Sequence, residues 1–189
     1  MKIKRKIENL IKKDLFDGKV IIIYGARQVG KTTLIKEIQN EYPDSVYLNC
    51  DEPDTRFSLE NKTSTELSNI IGQAKIVFID EAQRVSDIGM TLKLLVDTRL
   101  DLQIIATGSS SFDLSNKISE PLTGRNNKYI LYPFTTGELI ANYGEVEIKR
   151  LTDQRIIYGS YPEQFFWDKE KKERRISELT EDYVFRDIF

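Results

Sequence analysis

The sequence predicts an α/β protein, with helices sandwiching a mostly parallel five-stranded central sheet, followed by a C-terminal helical extension. Three observations predict this. Short, largely β-branched apolar runs recur up to residue 132; each is separated from the next by enough chain for a crossover helix; and after Pro133 the pattern changes to helix-spaced apolar residues.

Ile3, Ile7, Leu10, Ile11 and Leu15 fall at i, i+4, i+7, i+8 and i+12, which predicts an amphipathic helix over 3–17 closed by a left-handed Gly18. Val20 to Tyr24, bounded by Gly18 and Gly25, reads as a strand buried on both faces, as parallel strands are. Thr32 to Asn40 follows as a helix with Leu34, Ile35 and Ile38 on one side. Further strands are predicted at Val46 to Leu48, Ile76 to Ile79, Leu102 to Ala106 and Tyr129 to Tyr132. The intervening segments Thr63 to Ile71 and Leu92 to Arg99 have helical spacing and serve as right-handed crossovers. Beyond Pro133, Thr136 to Tyr143, Leu151 to Tyr158 and Lys169 to Phe189 read as helices, punctuated by Gly144, Gly159 and Pro162. The expected division is a core over 1–148 and a helical extension over 149–189.

Composition removes whole function classes. The 189 residues contain no histidine, which excludes Ser-His-Asp and Cys-His nucleophiles, His-ligated metals and imidazole pH sensing. A single cysteine, Cys50, can build neither an internal disulfide nor a Cys-rich cluster, and fits a reducing compartment. With 28 Lys and Arg against 30 Asp and Glu, the net charge of -2 offers no overall basic excess for nucleic acid. Hydrophobic residues at 40% support a packed core, yet the longest apolar run, Val20 to Tyr24, is far short of the roughly 18 residues of a membrane span. The basic N-terminus lacks the apolar region of a signal peptide, so the expected location is the cytoplasm.

Gly25-Ala26-Arg27-Gln28-Val29-Gly30-Lys31-Thr32 fits G-x-x-x-x-G-K-[ST] between a predicted strand and a predicted helix. Chance alone would produce the pattern in roughly half a per cent of chains this long, so the segment reads as a phosphate-binding loop. Its glycines let backbone N–H groups converge on phosphate oxygens, and the helix that follows adds its positive end. Lys31 supplies a charge for the β and γ phosphates, and the Thr32 hydroxyl suits Mg²⁺. Gly25 to Thr33 together form the expected nucleotide-binding segment.

Ile76 to Ile79 ends at Asp80-Glu81, which brings two carboxylates to the C-terminal edge of a buried strand, where open α/β sheets bind ligands. Asp80 would hold Mg²⁺ through water; Glu81 would accept a hydrogen bond from the attacking water. An acid directly after the metal-associated Asp favours ATP hydrolysis over phosphotransfer. Asn61-Lys-Thr-Ser64 and Asn116-Lys-Ile-Ser119 both lack the Asp of the guanine-reading Asn-Lys-x-Asp.

With these motifs and Ile104-Ile-Ala-Thr-Gly-Ser-Ser-Ser111, the chain resembles AAA-type ATPases, and so a P-loop NTPase sandwich. It looks most like a prokaryotic group of predicted ATP-binding proteins marked by Gly25-Ala-Arg-Gln-Val-Gly-Lys-Thr-Thr33 and Ile79-Asp-Glu-Ala-Gln83. The likeness continues through Leu122-Thr-Gly-Arg125, Tyr158-Gly-Ser-Tyr-Pro162 and Tyr183-Val-Phe-Arg-Asp-Ile-Phe189. It implies ATP and Mg²⁺ as cofactors and catalytic roles for Lys31 and Glu81. At Ser109 it implies a γ-phosphate sensor, with a helix N-cap as the alternative, and at Arg125 a finger reaching a neighbouring subunit, with a plain surface residue as the alternative. A homo-oligomer is thereby left open, and so is the identity of any protein or nucleic-acid partner. Such proteins usually continue into a winged-helix-like segment and a further domain, so the extension reads as truncated.

Three features stand outside that reading. Residues 1–13 carry six Lys or Arg and one Glu, either a contact for phosphate backbones or acidic lipid, or a solvated helix face. Cys50-Asp-Glu-Pro-Asp54 is either a polar loop exit or a second metal site. Phe165, Phe166 and Trp167 could stack on bases or anchor packing. The competing function is a nucleotide-responsive switch or scaffold with little hydrolysis; transfer of a phosphoryl group to a small molecule is the third.

Overall fold

The computed structural model describes residues 3–108, 118, 120–163, 165 and 167–183. Its contacts divide the chain into two compact units, Arg5–Tyr132 and the segment from Pro133 onward joined by the first four residues.

In the larger unit, β1 (Val20–Tyr24), β2 (Val46–Asn49), β3 (Ile76–Asp80), β4 (Gln103–Gly108) and β5 (Asn126–Ile130) form one sheet in the order β2-β3-β4-β1-β5. Every pairing is parallel. The three inner strands β1, β3 and β4 are buried along their whole length, which is why apolar residues dominate them. Around them lie α1 (Lys6–Lys13), α2 (Lys31–Gln39), α3 (Pro53–Leu59), α4 (Ser64–Ile71) and α5 (Ile88–Thr98). On one face Ile22, Val77, Ile79 and Ile104 share a core with Leu67 and Ile71 of α4 and Leu92 and Leu95 of α5. Helix α4 begins with a capping box: the Thr63 side chain accepts from the Glu66 N–H and the Glu66 carboxylate accepts from the Thr63 N–H.

Four expectations change. The first helix spans 6–13, not 3–17: Phe16 takes a left-handed φ of 64° and donates its N–H to Gln103 Oε1 at 2.6 Å, which turns the chain before Gly18. Its buried face also differs, with Arg5 and Glu8 inside and Leu10 half exposed. The last strand is Asn126–Ile130 instead of Tyr129 to Tyr132, because an edge strand paired only with β1 needs no apolar run. Cys50-Asp-Glu-Pro-Asp54 is not only a loop exit, since Pro53 stands in the first turn of α3 and Asp54 favours the helix N-terminus.

In the smaller unit, α6 (Thr136–Tyr143), α7 (Glu145–Arg150), α8 (Thr152–Tyr158) and α9 (Lys169–Tyr183) follow one another. The expected boundary near residue 148 falls inside α7, where Ile148 packs with Ile3, Phe134 and Leu139 in a small core. The compact unit therefore starts at Pro133, and α7 was missed because its six residues, Glu145 to Arg150, are largely charged. Phe165 joins that core through ring contacts with Phe134 and Tyr143, a packing anchor. Lys171 lies 4.3 Å above the Trp167 ring; Phe166 is outside the described residues. No helix among the described residues is long and apolar enough to cross a membrane.

Candidate functional site

Parallel pairing brings the C-terminal ends of β1, β3 and β4 to one edge of the sheet. From β1 the chain enters the loop at Gly25, where a side chain has no room: a Cβ there would sit 2.9 Å from Val29 Cγ2 and nearer still to the Leu131 carbonyl oxygen. Gln28 and Gly30 then take left-handed φ values of 63° and 94°, which turns the loop directly into α2. Gly30 has no side chain to cap that helix, so the first-turn N–H groups remain available to an anion. Val29 is buried and its carbonyl accepts from Arg5 Nη1 at 2.9 Å; Arg5 Nη2 also donates to the Tyr132 carbonyl.

Lys31 is only 4% exposed. Its ammonium donates to the Gly25 and Ala26 carbonyls at 2.9 and 3.0 Å, closing the loop upon itself. Burial lowers its pKa; the negative charges of Glu81 and Asp80 oppose that shift and the Arg27 guanidinium adds to it.

Asp80, 2% exposed, ends β3. Three hydroxyls donate to its carboxylate: Thr32 Oγ1 to Oδ2 at 2.7 Å, Tyr47 Oη to the same Oδ2 at 2.7 Å, and Thr107 Oγ1 to Oδ1. Burial, reinforced by Asp80, raises the Tyr47 pKa, so the phenol keeps its proton and remains a donor. Among the described residues no lysine or arginine forms an ion pair with Asp80. A buried carboxylate held by neutral donors, with the Lys31 ammonium near enough to feel its charge but not paired with it, can balance a further cation.

The fit to Mg²⁺ rests on this chemistry. Mg²⁺ takes oxygen ligands, keeps several waters and is commonly held by one or two carboxylates plus substrate phosphates. The Thr32 hydroxyl and the Asp80 carboxylate, 2.7 Å apart beside the loop, are such a donor pair. Among the described residues no cluster of three or more His, Cys, Asp or Glu could hold a metal by itself. Near Cys50, Arg84 pairs with Asp51, and Arg56 donates to the Cys50 and Asp51 carbonyls.

Glu81 takes a left-handed φ of 52° as β3 gives way to the tight turn Ala82–Arg84. Its N–H donates to Thr107 Oγ1 at 3.1 Å, and its carboxylate accepts from Gln83 Nε2. The structure thus gathers Lys31, Thr32, Asp80 and Glu81 at one edge. Thr33 lies on the exposed side of α2.

Arg125 is not among them. It directly precedes β5, its carbonyl accepts from the Val20 N–H at 2.9 Å, and its guanidinium pairs with Asp97 at 3.4 Å. That is the opposite edge of the sheet, the full length of β1 from the loop, or roughly 15 Å at about 3.3 Å per residue. Ser109 lies outside the described residues.

Two residues at the site escaped the sequence reading. Thr107 is reached through register: Ile79 pairs with Ala106, so the next step along both strands sets Thr107 beside Asp80. Its only sequence signal is that each is the first polar residue after a buried run. Tyr47 pairs with Phe78, two residues before Asp80 and on the same face, and nothing in its sequence context marks it.

The AAA-domain family (AAA_14) matches residues 17–140, a span that holds the loop, the acidic pair and all five strands. The chain belongs to this family. An uncharacterized protein of Methanocaldococcus jannaschii is 28% identical over 191 aligned residues, covering 92% of this chain and 43% of that protein. An uncharacterized protein of Mycobacterium tuberculosis is 31% identical over 121, covering 61% of this chain and 25% of its own length. This AAA domain therefore spans less than half of either relative. Among solved structures, the Walker-type ATPase of Pyrococcus abyssi shares the fold, with a TM-score of 0.64 over 99% of this chain and 75% of that one at 17% identity. Membership and fold together make this an AAA-type P-loop domain of the nucleotide-binding kind.

Proposed function

We propose that this AAA domain binds ATP with Mg²⁺ and hydrolyses it, and that it works in the cytoplasm. The observation that carries the reading is the 2.7 Å hydrogen bond from Thr32 to Asp80, which ties the first turn after the loop to the acid at the end of β3. Loop N–H groups and Lys31 would take the phosphate oxygens, Lys31 exchanging the Gly25 and Ala26 carbonyls for them. Thr32 and Asp80 would hold Mg²⁺, which when bound would neutralise charge on the phosphates. Glu81 would exchange Gln83 for a water and accept its hydrogen bond. As the water oxygen bonds to the γ-phosphorus, the bond to the β-phosphate oxygen breaks, and ADP and phosphate leave.

Arg125, at the far edge of its own sheet, could serve a nucleotide only on a neighbouring subunit. Thr107, buried on β4 between the loop strand and the acidic strand, is a polar group placed to serve this site.

Nucleotide titration and steady-state phosphate release test the reading. Lys31→Ala should lose nucleotide binding, and Glu81→Gln should keep it while turnover falls by about 10² or more. Unchanged turnover in Glu81→Gln overturns the role given to that carboxylate.

One observation favours a second reading, the slow switch. Glu81 is already engaged by Gln83, and its backbone sits in a conformation costing on the order of 1 kcal/mol. Tight nucleotide binding with near-zero turnover would support that reading, and stimulation by DNA would support a motor or loader.

A further inference from the structure

Tyr47 stands in the middle of the edge strand β2, and its ring and hydroxyl meet different parts of the site. Lys36, one helical turn after Thr32 on α2, carries its ammonium 5.3 Å from the ring centroid. The hydroxyl reaches across to Asp80 Oδ2 at 2.7 Å. Phenylalanine would serve the packing and the ring contact equally well; only the bond to Asp80 needs the oxygen.

A carboxylate offers about four lone-pair positions, two on each oxygen. Thr32 and Tyr47 occupy both on Oδ2, and Thr107 takes one on Oδ1. One acceptor position remains, and it lies on Oδ1. An acid saturated in this way cannot ligate a cation directly through Oδ2 without losing a hydroxyl, but it can accept one hydrogen bond from a water.

We infer that Tyr47 is a positioning residue for the metal–nucleotide complex: with Thr32 it saturates Oδ2 of Asp80, and so leaves the carboxylate a single acceptor, on Oδ1, for one water of hydrated Mg²⁺. The inference rests on the proposed metal-dependent nucleotide binding. It assigns to β2, which carries none of the recognised motifs, a part in setting metal affinity. Groups that orient a metal-holding carboxylate without touching the ion commonly change metal affinity by about 10- to 100-fold when removed.

The test is Tyr47→Phe in the intact chain, with binding of a non-hydrolysable ATP analogue followed by thermal shift and calorimetry. Mg²⁺ is varied, and one arm contains a chelator in place of the metal. The expected result is a Mg²⁺ midpoint raised about tenfold, with affinity in chelator within about twofold of wild type and binding restored by excess Mg²⁺. Lys36→Met, which removes the ring contact and keeps the hydroxyl, should leave the midpoint within about twofold of wild type. An unchanged midpoint in Tyr47→Phe, beside a clear Mg²⁺ response in wild type, overturns the inference alone. Equal loss in both arms overturns it as well, since a merely structural role predicts that. If wild type itself shows no Mg²⁺ dependence, the metal reading fails and this inference fails with it.

Discussion

Gly25→Ala is the sharpest test of how the loop is built. The added methyl would meet Val29 Cγ2 at 2.9 Å and press closer still on the Leu131 carbonyl oxygen, where ordinary carbon contacts begin near 3.5 Å. Neither neighbour can yield easily. Val29 is fully buried and its carbonyl is held by Arg5, while Leu131 donates its own N–H to the Tyr24 carbonyl at 2.7 Å. Two backbone segments must therefore move by on the order of half an ångström. Overpacking of this kind costs about 1–3 kcal/mol, and because a backbone carbonyl is involved the upper half of that range applies, about 2–3 kcal/mol. For a chain of this length that lowers Tm by about 4–12 °C. Displacement of the loop should also weaken ATP binding at least about tenfold. Gly18→Ala is the control: its φ of 71° is strained for alanine, yet no atom beyond its own two chain neighbours lies within 4 Å of the added carbon. It should cost about 1 kcal/mol and leave ATP affinity unchanged. Calorimetric unfolding and nucleotide titration of both variants decide the matter. If Gly25→Ala melts and binds like wild type, the close approach of β1 and the Leu131 segment does not constrain the loop.

Arg5→Ala strands two carbonyls, those of Val29 and Tyr132, and should cost about 2–4 kcal/mol in urea unfolding. Thr107→Val keeps the shape while removing a donor to Asp80 and the acceptor of the Glu81 N–H; turnover should fall about tenfold with ATP affinity within about threefold, read from steady-state kinetics beside direct titration. The Cys50 thiol is pushed up to about 12, chiefly by burial and then by the nearby charge of Asp80, so iodoacetamide at pH 8 should label the unfolded chain and spare the native one. Because the native thiol holds its proton to a higher pH than the unfolded one, its contribution is complete below about pH 9 and is lost as pH rises from there towards 12. Urea midpoints of wild type should accordingly fall faster than those of Cys50→Ala over that interval.

The fold was legible where burial is complete. β1, β3 and β4 are covered on both faces, so each carries a run of apolar residues, and Gly25 after β1 and Asp80 at the end of β3 mark the loop and the acid. Legibility failed at the margins of the sheet. β5 carries Asn126, Asn127 and Lys128 because only one of its edges is paired, and its position came from pairing with β1, which no run of residues announces. The first helix looked longer because Ile3 and Leu15 keep helical spacing, while the turn at Phe16 depends on a side chain 87 residues away. At the site, Lys31, Thr32, Asp80 and Glu81 stood out by motif. Tyr47 and Thr107 did not, because their place at Asp80 is a product of strand register.

The guanidinium of Arg5 has a consequence for how the domain can be cut. A fragment trimmed to begin at β1 would retain every residue of the loop, both acids and all five strands, and by sequence would look intact. It would lose the side chain that fastens the Val29 carbonyl to that of Tyr132, which is to say the middle of the loop to the chain just beyond the last strand. A piece that keeps this fastening therefore starts at or before residue 5, and the recognisable motif is shorter than the structure that supports it.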